Sequence, residues 1–254
     1  MDKIKILVAG KGGTGKTSIS AALSIILSSK GYRVIALDTD STPNLAQSLG
    51  IPYEKAMNII PLARNDKLIE ERTGIAPGIG WGAIFKLNPR VDDLAEKFGI
   101  KINDNLNLVV VGSIDSSKQG CLCPAIALAR RFLRYSLKRG EFVIVDAEAG
   151  AEVFGRGLAE RFDMMLTISE PTVKSIMISL NMIRMAKELD IKRNILVVNK
   201  VMDIEQTRKL VNELVKGDIP THFIRYDEEL LSIDYKGLGI DLSLIHISEP
   251  TRPR

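Results

Sequence analysis

The sequence predicts an α/β protein, a doubly wound and mostly parallel sheet with helices between its strands. Three observations carry that expectation. Short β-branched-rich runs recur along the chain; they are apolar on both faces, as buried parallel strands are; and helical segments alternate with them. In order, "KILVA" enters a glycine-rich turn and a helix from Thr17 to Lys30, and "RVIALD" ends a second strand at Asp38. The stretch from about 51 to 101, with "GIAPGIGWGAIFKLNP", reads as an irregular insertion at the sheet's functional edge. A weaker strand, "NLNLVVVG", precedes a helix from Pro124 to Arg139. "FVIVD" then ends at Asp146, and "MMLTIS" leads into a helix from Thr172 to Leu189. "NILVVNK" and a helix from Ile204 to Lys216 complete the series. Ligands of such sheets gather beyond the carboxyl ends of the strands, where Gly10, Asp38, Asp146 and Asn199 fall.

With 254 residues, 45% hydrophobic and 26% charged, the chain reads as one soluble domain over 1–241. The net charge of +4 is too small to argue for nucleic acid. The basic helix bearing Arg130, Arg131, Arg134, Lys138 and Arg139 is read as a solvated face, cations suiting a helix C-terminus. No run approaches the ~20 apolar residues of a membrane span, and "MDKIKILVAG" has no export signal, so a cytoplasmic protein without stable membrane insertion is expected. The last residues, 242–254, break the pattern. "LSLIHISEPTR" resembles the translation of a sequencing-library adapter, so a non-native tail is expected there. His222 and Trp81 support no site.

"GKGGTGKTS", Gly10 to Ser18, sits between a strand and a helix, the context a phosphate loop requires. Gly12, Gly13, Thr14, Gly15, Lys16, Thr17 and Ser18 are the candidate nucleotide-binding residues, their backbone N–H groups turned toward phosphate. Lys16 is expected on the β- and γ-phosphates and Thr17 on Mg²⁺. Lys11 is a surplus cation. Asp38 and Asp40 close the second strand, and Asp146 closes a strand of Walker B character.

K-G-G-T-G-K-T resembles the deviant Walker A of the MinD/ParA/nitrogenase iron-protein class of P-loop ATPases, with Thr14 where that class usually has Val. The resemblance implies that Lys11 crosses a two-fold axis to the partner's nucleotide, as an arginine finger does, so that ATP binding and homodimerisation go together. It also implies that Asp40 positions the attacking water, with Asp38 and Asp146 beside Mg²⁺. Lys11, Lys16 and Asp40 are therefore the catalytic candidates. Asn199 and Lys200 fall at the class's adenine site, and Tyr226 matches its base-covering loop imperfectly, because Arg225 stands in place of Pro. "NKVM" lacks the Asp of guanine-selective N-K-x-D, so ATP is expected. "DAEAG" carries Glu148 where D-T-P-A-G is common; a solvent-facing substitution is preferred to an extra base.

Cys121 and Cys123, the only cysteines, form a C-x-C ahead of a helix, whose N-terminus favours thiolates. One chain supplies two sulfurs; a two-fold dimer supplies the four of a tetrahedral site suited to Zn²⁺ or Ni²⁺. The phosphate loop, the C-x-C, "DAEAGAE" and "MMLTISEPTVKSI" together resemble the CooC-type nickel-insertion ATPases, accessory to carbon monoxide dehydrogenase. That resemblance implies a metal ion bridging the homodimer, delivery of Ni²⁺ and carbon monoxide dehydrogenase as client. Two rivals stand beside it: a MinD/ParA-like positioning or partitioning ATPase, which leaves the C-x-C unexplained, and an iron–sulfur carrier, whose cluster needs more widely spaced cysteines.

Overall fold

The computed structural model describes residues 4–40, 42, 44–77, 86–112, 123–136, 142–147 and 162–240. Within them an eight-stranded sheet forms in the order β3-β4-β2-β5-β1-β6-β7-β8. The strands are β1 Ile4–Gly10, β2 Val34–Asp38, β3 Ile100–Asn103, β4 Leu106–Val110, β5 Phe142–Asp146, β6 Met164–Ser169, β7 Arg193–Val201 and β8 Thr221–Arg225. All pairings are parallel except β3 with β4. The chain steps outward from β1 to β2 on one side and later to β6, β7 and β8 on the other, which opens a crevice beyond β1.

Side-chain alternation divides the core into two layers. Leu7, Leu37, Val109, Val145, Met165 and Leu196 face one layer; Ile6, Val8, Ala36, Leu108, Ile144 and Val197 face the other. Over the second layer lie α1 (Lys16–Ser29), α2 (Asn44–Ser48) and α3 (Tyr53–Met57). The buried stripe of α1 is small and hydroxylic: Ser20, Ala21, Ser24 and Ser28. Ser24 and Ser28 donate to the carbonyls of Ser20 and Ile25 at 2.7 and 3.0 Å, so these hydroxyls enter the core satisfied.

Over the first layer lie α4 (Asp66–Thr73), α5 (Leu94–Lys97), α6 (Cys123–Ser136), α7 (Val173–Glu188) and α8 (Ile204–Leu214). Side-chain caps start three of them: Asn65 accepts from Leu68 N–H, Thr172 from Ser175 N–H and Asp203 from Gln206 N–H. The stretch read as irregular holds α3, α4 and α5, and Leu62, Leu68, Ile69, Val91 and Leu94 are fully or nearly buried in the core. Arg72 ties α4 to α5 through Asp93 at 2.7 Å, and Lys97 adds a second cation at 2.9 Å. These two partners hold the Asp93 carboxyl far below the usual carboxylate range.

After β8, α9 (Glu228–Lys236) leads the chain back across the α1 face. There Ile240 N–H donates to the Ser48 carbonyl at 2.9 Å, and Gly239 lies so close to Gly50 that a Cβ would meet its backbone. Among the described residues no helix is long and apolar enough to cross a membrane. The proposed tail, 242–254, lies outside the described residues.

Candidate functional site: a phosphate loop with buried carboxylates

Loop 10–15 leaves the centre of the sheet between β1 and α1. Gly10 is demanded by crowding, since a side chain there would strike the Ile168 carbonyl of β6. Gly15 caps α1 at φ 94°, a left-handed conformation, and a Cβ would collide with the Asn199 amide. The loop is drawn around the Lys11 carbonyl, which accepts from Thr14 N–H at 3.4 Å, Thr14 Oγ1 at 2.9 Å and Lys16 Nζ at 3.3 Å. The Lys11 side chain itself points to solvent.

Lys16 is buried, and burial lowers its pKa against the opposing pull of Asp146 and Asp40. One neutral carbonyl is a weak partner for an ammonium so placed, and an anion is the partner this geometry favours. At the start of a helix whose first turn holds no acidic side chain, phosphate is the fitting anion.

Behind the loop, β2 and β5 end in register, Asp38 opposite Asp146. Asp146 is 2% exposed; its Oδ1 accepts from Ser20 Oγ at 3.1 Å, and the Thr17 hydroxyl also donates to its carboxylate. Its backbone carbonyl takes Thr39 N–H at 3.1 Å and Thr39 Oγ1 at 2.8 Å. Asp38 is fully buried and both its oxygens are engaged: Asp40 N–H reaches Oδ1 at 3.0 Å and Leu45 N–H reaches Oδ2 at 3.1 Å. Asp38 thereby shapes the turn that carries Asp40, which lies beyond the strand and is half-buried. Burial, with the neighbouring Asp146, pushes the Asp38 carboxyl up to about 8. Burial pushes Asp146 up to about 6, against its hydroxyl partners and the Lys16 charge. Two carboxylates, buried Asp146 and half-buried Asp40, act on the single Lys16 ammonium, which leaves the site open to further positive charge. With the Thr17 hydroxyl, Asp146 offers oxygen donors that fit Mg²⁺, which supplies positive charge there when bound; Asp38, its oxygens held by the backbone, lies behind them.

The pH consequence follows from linkage. Both folded-state pKa values lie above that of an unfolded Asp, about 4, so the folded protein holds protons that the unfolded chain has released. This stabilisation is complete below about pH 4 and is lost as pH rises through the two folded values. The melting temperature of the metal-free protein is therefore expected to fall between about pH 5 and 8.5, less steeply in Asp38→Asn, and Mg²⁺ with nucleotide should raise it most at the alkaline end. Differential scanning fluorimetry across that range checks this; a metal-free melting temperature that climbs with pH would contradict it.

On the far side, Asn199 Nδ2 donates to the Thr14 carbonyl at 2.8 Å, and Lys200 Nζ donates to the Gly13 carbonyl at 2.6 Å. Lys200 adopts φ 59°, a left-handed conformation costing a non-glycine residue about 1–2 kcal/mol. Its ammonium also meets Glu170 Oε1 at 3.1 Å. The residues expected at the adenine edge thus hold the loop's backbone. Tyr226 N–H bonds to the Val201 carbonyl at 3.0 Å, keeping its half-exposed ring at the same end of the sheet. A pocket of about 450 Å³ opens beside them, lined by Pro171, Lys200, Met202 and α8.

Sequence reasoning missed Glu170, Ser20 and Thr39. Ser20 carried a usable signal, one helical turn beyond Lys16 and Thr17; nothing in a single sequence marks Glu170. Cys121 and Glu148 lie outside the described residues, and Cys123 is placed only as the first residue of α6, its side chain not described. Among the described residues no group of three or more His, Cys, Asp or Glu gathers as a metal site.

Known proteins resemble this chain in sequence and in fold. The model of the CobQ/CobB/MinD/ParA nucleotide-binding domain matches residues 5–240. An uncharacterized ATP-binding protein of Methanocaldococcus jannaschii is 42% identical over 94% of this chain and 91% of its own. The carbon monoxide dehydrogenase accessory protein CooC of Rhodospirillum rubrum is 36% identical over 94% and 90%. Among solved structures, the cell division ATPase MinD of Pyrococcus furiosus superposes with a TM-score of 0.62 at 21% identity, covering 94% of this chain and 89% of that one. At that identity it speaks for the fold alone.

Proposed function

Because the chain belongs to the CobQ/CobB/MinD/ParA nucleotide-binding family and is an ATPase of the MinD/ParA class, we propose that it works as an ATP-gated homodimer. The dimer carries a divalent metal ion between paired Cys121 and Cys123 and delivers Ni²⁺ during maturation of carbon monoxide dehydrogenase. The observation that carries this reading is the 36% identity with the CooC accessory protein, spread over 94% of the chain. The C-x-C supports it: a MinD- or ParA-like positioning role leaves those thiols without work, and an iron–sulfur carrier calls for more widely spaced ones.

Each site residue has a part in this reading. Loop amides 12–18 hold the phosphates, and Lys16 exchanges its carbonyl partner for phosphate oxygens. Thr17 and Asp146 hold Mg²⁺, with Asp38 behind them. Asp40 orients water, and exposed Lys11 is lent to the partner's nucleotide. Asn199, Lys200 and Tyr226 border the nucleoside end.

Metal analysis with sizing chromatography tests the cargo. One ion per dimer is expected with ATP present, and none in Cys121→Ala/Cys123→Ala, whose ATP binding should persist. Metal content untouched by those substitutions defeats the carrier role and leaves a positioning ATPase. A brown, iron- and sulfide-containing product from anaerobic purification would point to the cluster carrier.

A further inference from the structure

We infer that Glu170, Lys200 and Asn199 form a brace that sets how fast the phosphate loop lets go of its nucleotide. Glu170 and Lys200 act on the loop as positioning residues. The inference rests on the ATPase reading only in taking loop 10–15 as the nucleotide's cradle.

Three independent features converge. First, both side chains spend their donors on successive loop carbonyls, Lys200 on Gly13 and Asn199 on Thr14. A peptide unit is planar and trans, so a held carbonyl fixes the N–H on its other side. Clamping the Gly13 carbonyl fixes Thr14 N–H, which donates to the Lys11 carbonyl within the loop, and clamping the Thr14 carbonyl orients Gly15 N–H. The outer surface of the loop is pinned so that its inner surface is set before phosphate arrives.

Second, the backbone is bent to make this possible. The β7–β8 register shifts between Val198 and Val201, an irregularity that falls on Asn199 and Lys200, and Lys200 takes its left-handed conformation there. Irregularities of this kind re-aim side chains, and strain persists only where the surroundings hold it. Third, Gly15 lies so close to Asn199 Nδ2 that no other residue fits, so loop and brace are fitted to each other.

Glu170 completes the device. It follows β6 directly, with its N–H donating to Ser175 Oγ at 2.9 Å, so it is fixed to the start of α7. From there its carboxylate takes the Lys200 ammonium at 3.1 Å while the same ammonium reaches Gly13. One flexible lysine is thus confined between two anchors, and the ends of β6 and β7 bear jointly on the loop.

Stopped-flow release of a fluorescent mant-ADP with Mg²⁺ tests the brace, in the full chain. Wild-type binding of the probe checks the nucleotide reading separately: no binding would sink that reading and this inference with it, whereas binding with unaltered release in the variants would sink the inference alone. Lys200→Met is expected to release the probe roughly tenfold faster, with association nearly unchanged, because a charge-assisted hydrogen bond to the loop is lost. Glu170→Gln should speed release several-fold, and the double variant should be no faster than Lys200→Met alone, since both act through one ammonium. A wild-type release rate in folded Lys200→Met overturns the proposal. Effects of the two substitutions that simply multiply remove Glu170 from it. If Lys200→Met melts before measurement, Glu170→Gln and Lys200→Arg carry the test, a wild-type rate in both being the overturning result.

Discussion

Lys11→Ala is expected to lower steady-state ATP hydrolysis by about 10³-fold or more, the scale of a cation supplied in trans to a phosphoryl-transfer transition state. ATP should still bind, because Lys16 and the loop amides belong to the same subunit. The solvent-facing position of Lys11 allows this division, since only its carbonyl serves its own loop. Mixing gives the decisive form of the experiment. Lys11→Ala and Lys16→Ala are each expected to be inactive, yet a mixture should recover activity. In the heterodimer the Lys11→Ala subunit keeps Lys16 and borrows Lys11 from its partner. Two inactive proteins that stay inactive when mixed, while dimerising, would show that Lys11 does not act across the interface.

Asp40→Ala is expected to lower turnover by about 10²–10⁴-fold, the range of a positioned group acting on water. Dimers loaded with ATP should accumulate, visible by sizing chromatography, because binding is left intact and only the step that ends it is lost. The resemblance to the MinD/ParA class assigns this role to Asp40 rather than Asp38. Both oxygens of Asp38 are taken by backbone N–H groups; Asp40 sits on the turn those bonds create, its Oδ1 accepting from Thr42 N–H at 3.4 Å, near enough to Lys16 to influence its charge. Full turnover in Asp40→Ala would return the water-positioning role to another residue.

The central strands were legible because burial on both faces leaves no choice of residue: "VIALD" and "FVIVD" are apolar throughout and end in carboxylates. The edge strands were not. β3 alternates isoleucine with Lys101 and Asn103, and β8 is largely exposed, so neither shows a continuous apolar run. Helices α3 and α5 are too short for a helical period to show, and their neighbours are rich in Gly and Pro. In the site, Lys16, Thr17 and Asp146 were legible because spacing fixes their places, the first two at the start of a helix and the third at a strand end. The occupation of Asp38 by Asp40 and Leu45, and the hold of Lys200 on Gly13, depend on where a turn and an irregular strand aim particular atoms. Pattern carries no such information.

The latch between Ile240 and Ser48 has a practical consequence. Helix α2, which ends at Ser48, is fastened at its other end to Asp38 through Leu45, so three short links join the close of the described chain to the turn bearing Asp40. A bulky reporter fused just past Ile240 would lever on that turn. Labels for kinetic work belong at the opposite end of the polypeptide.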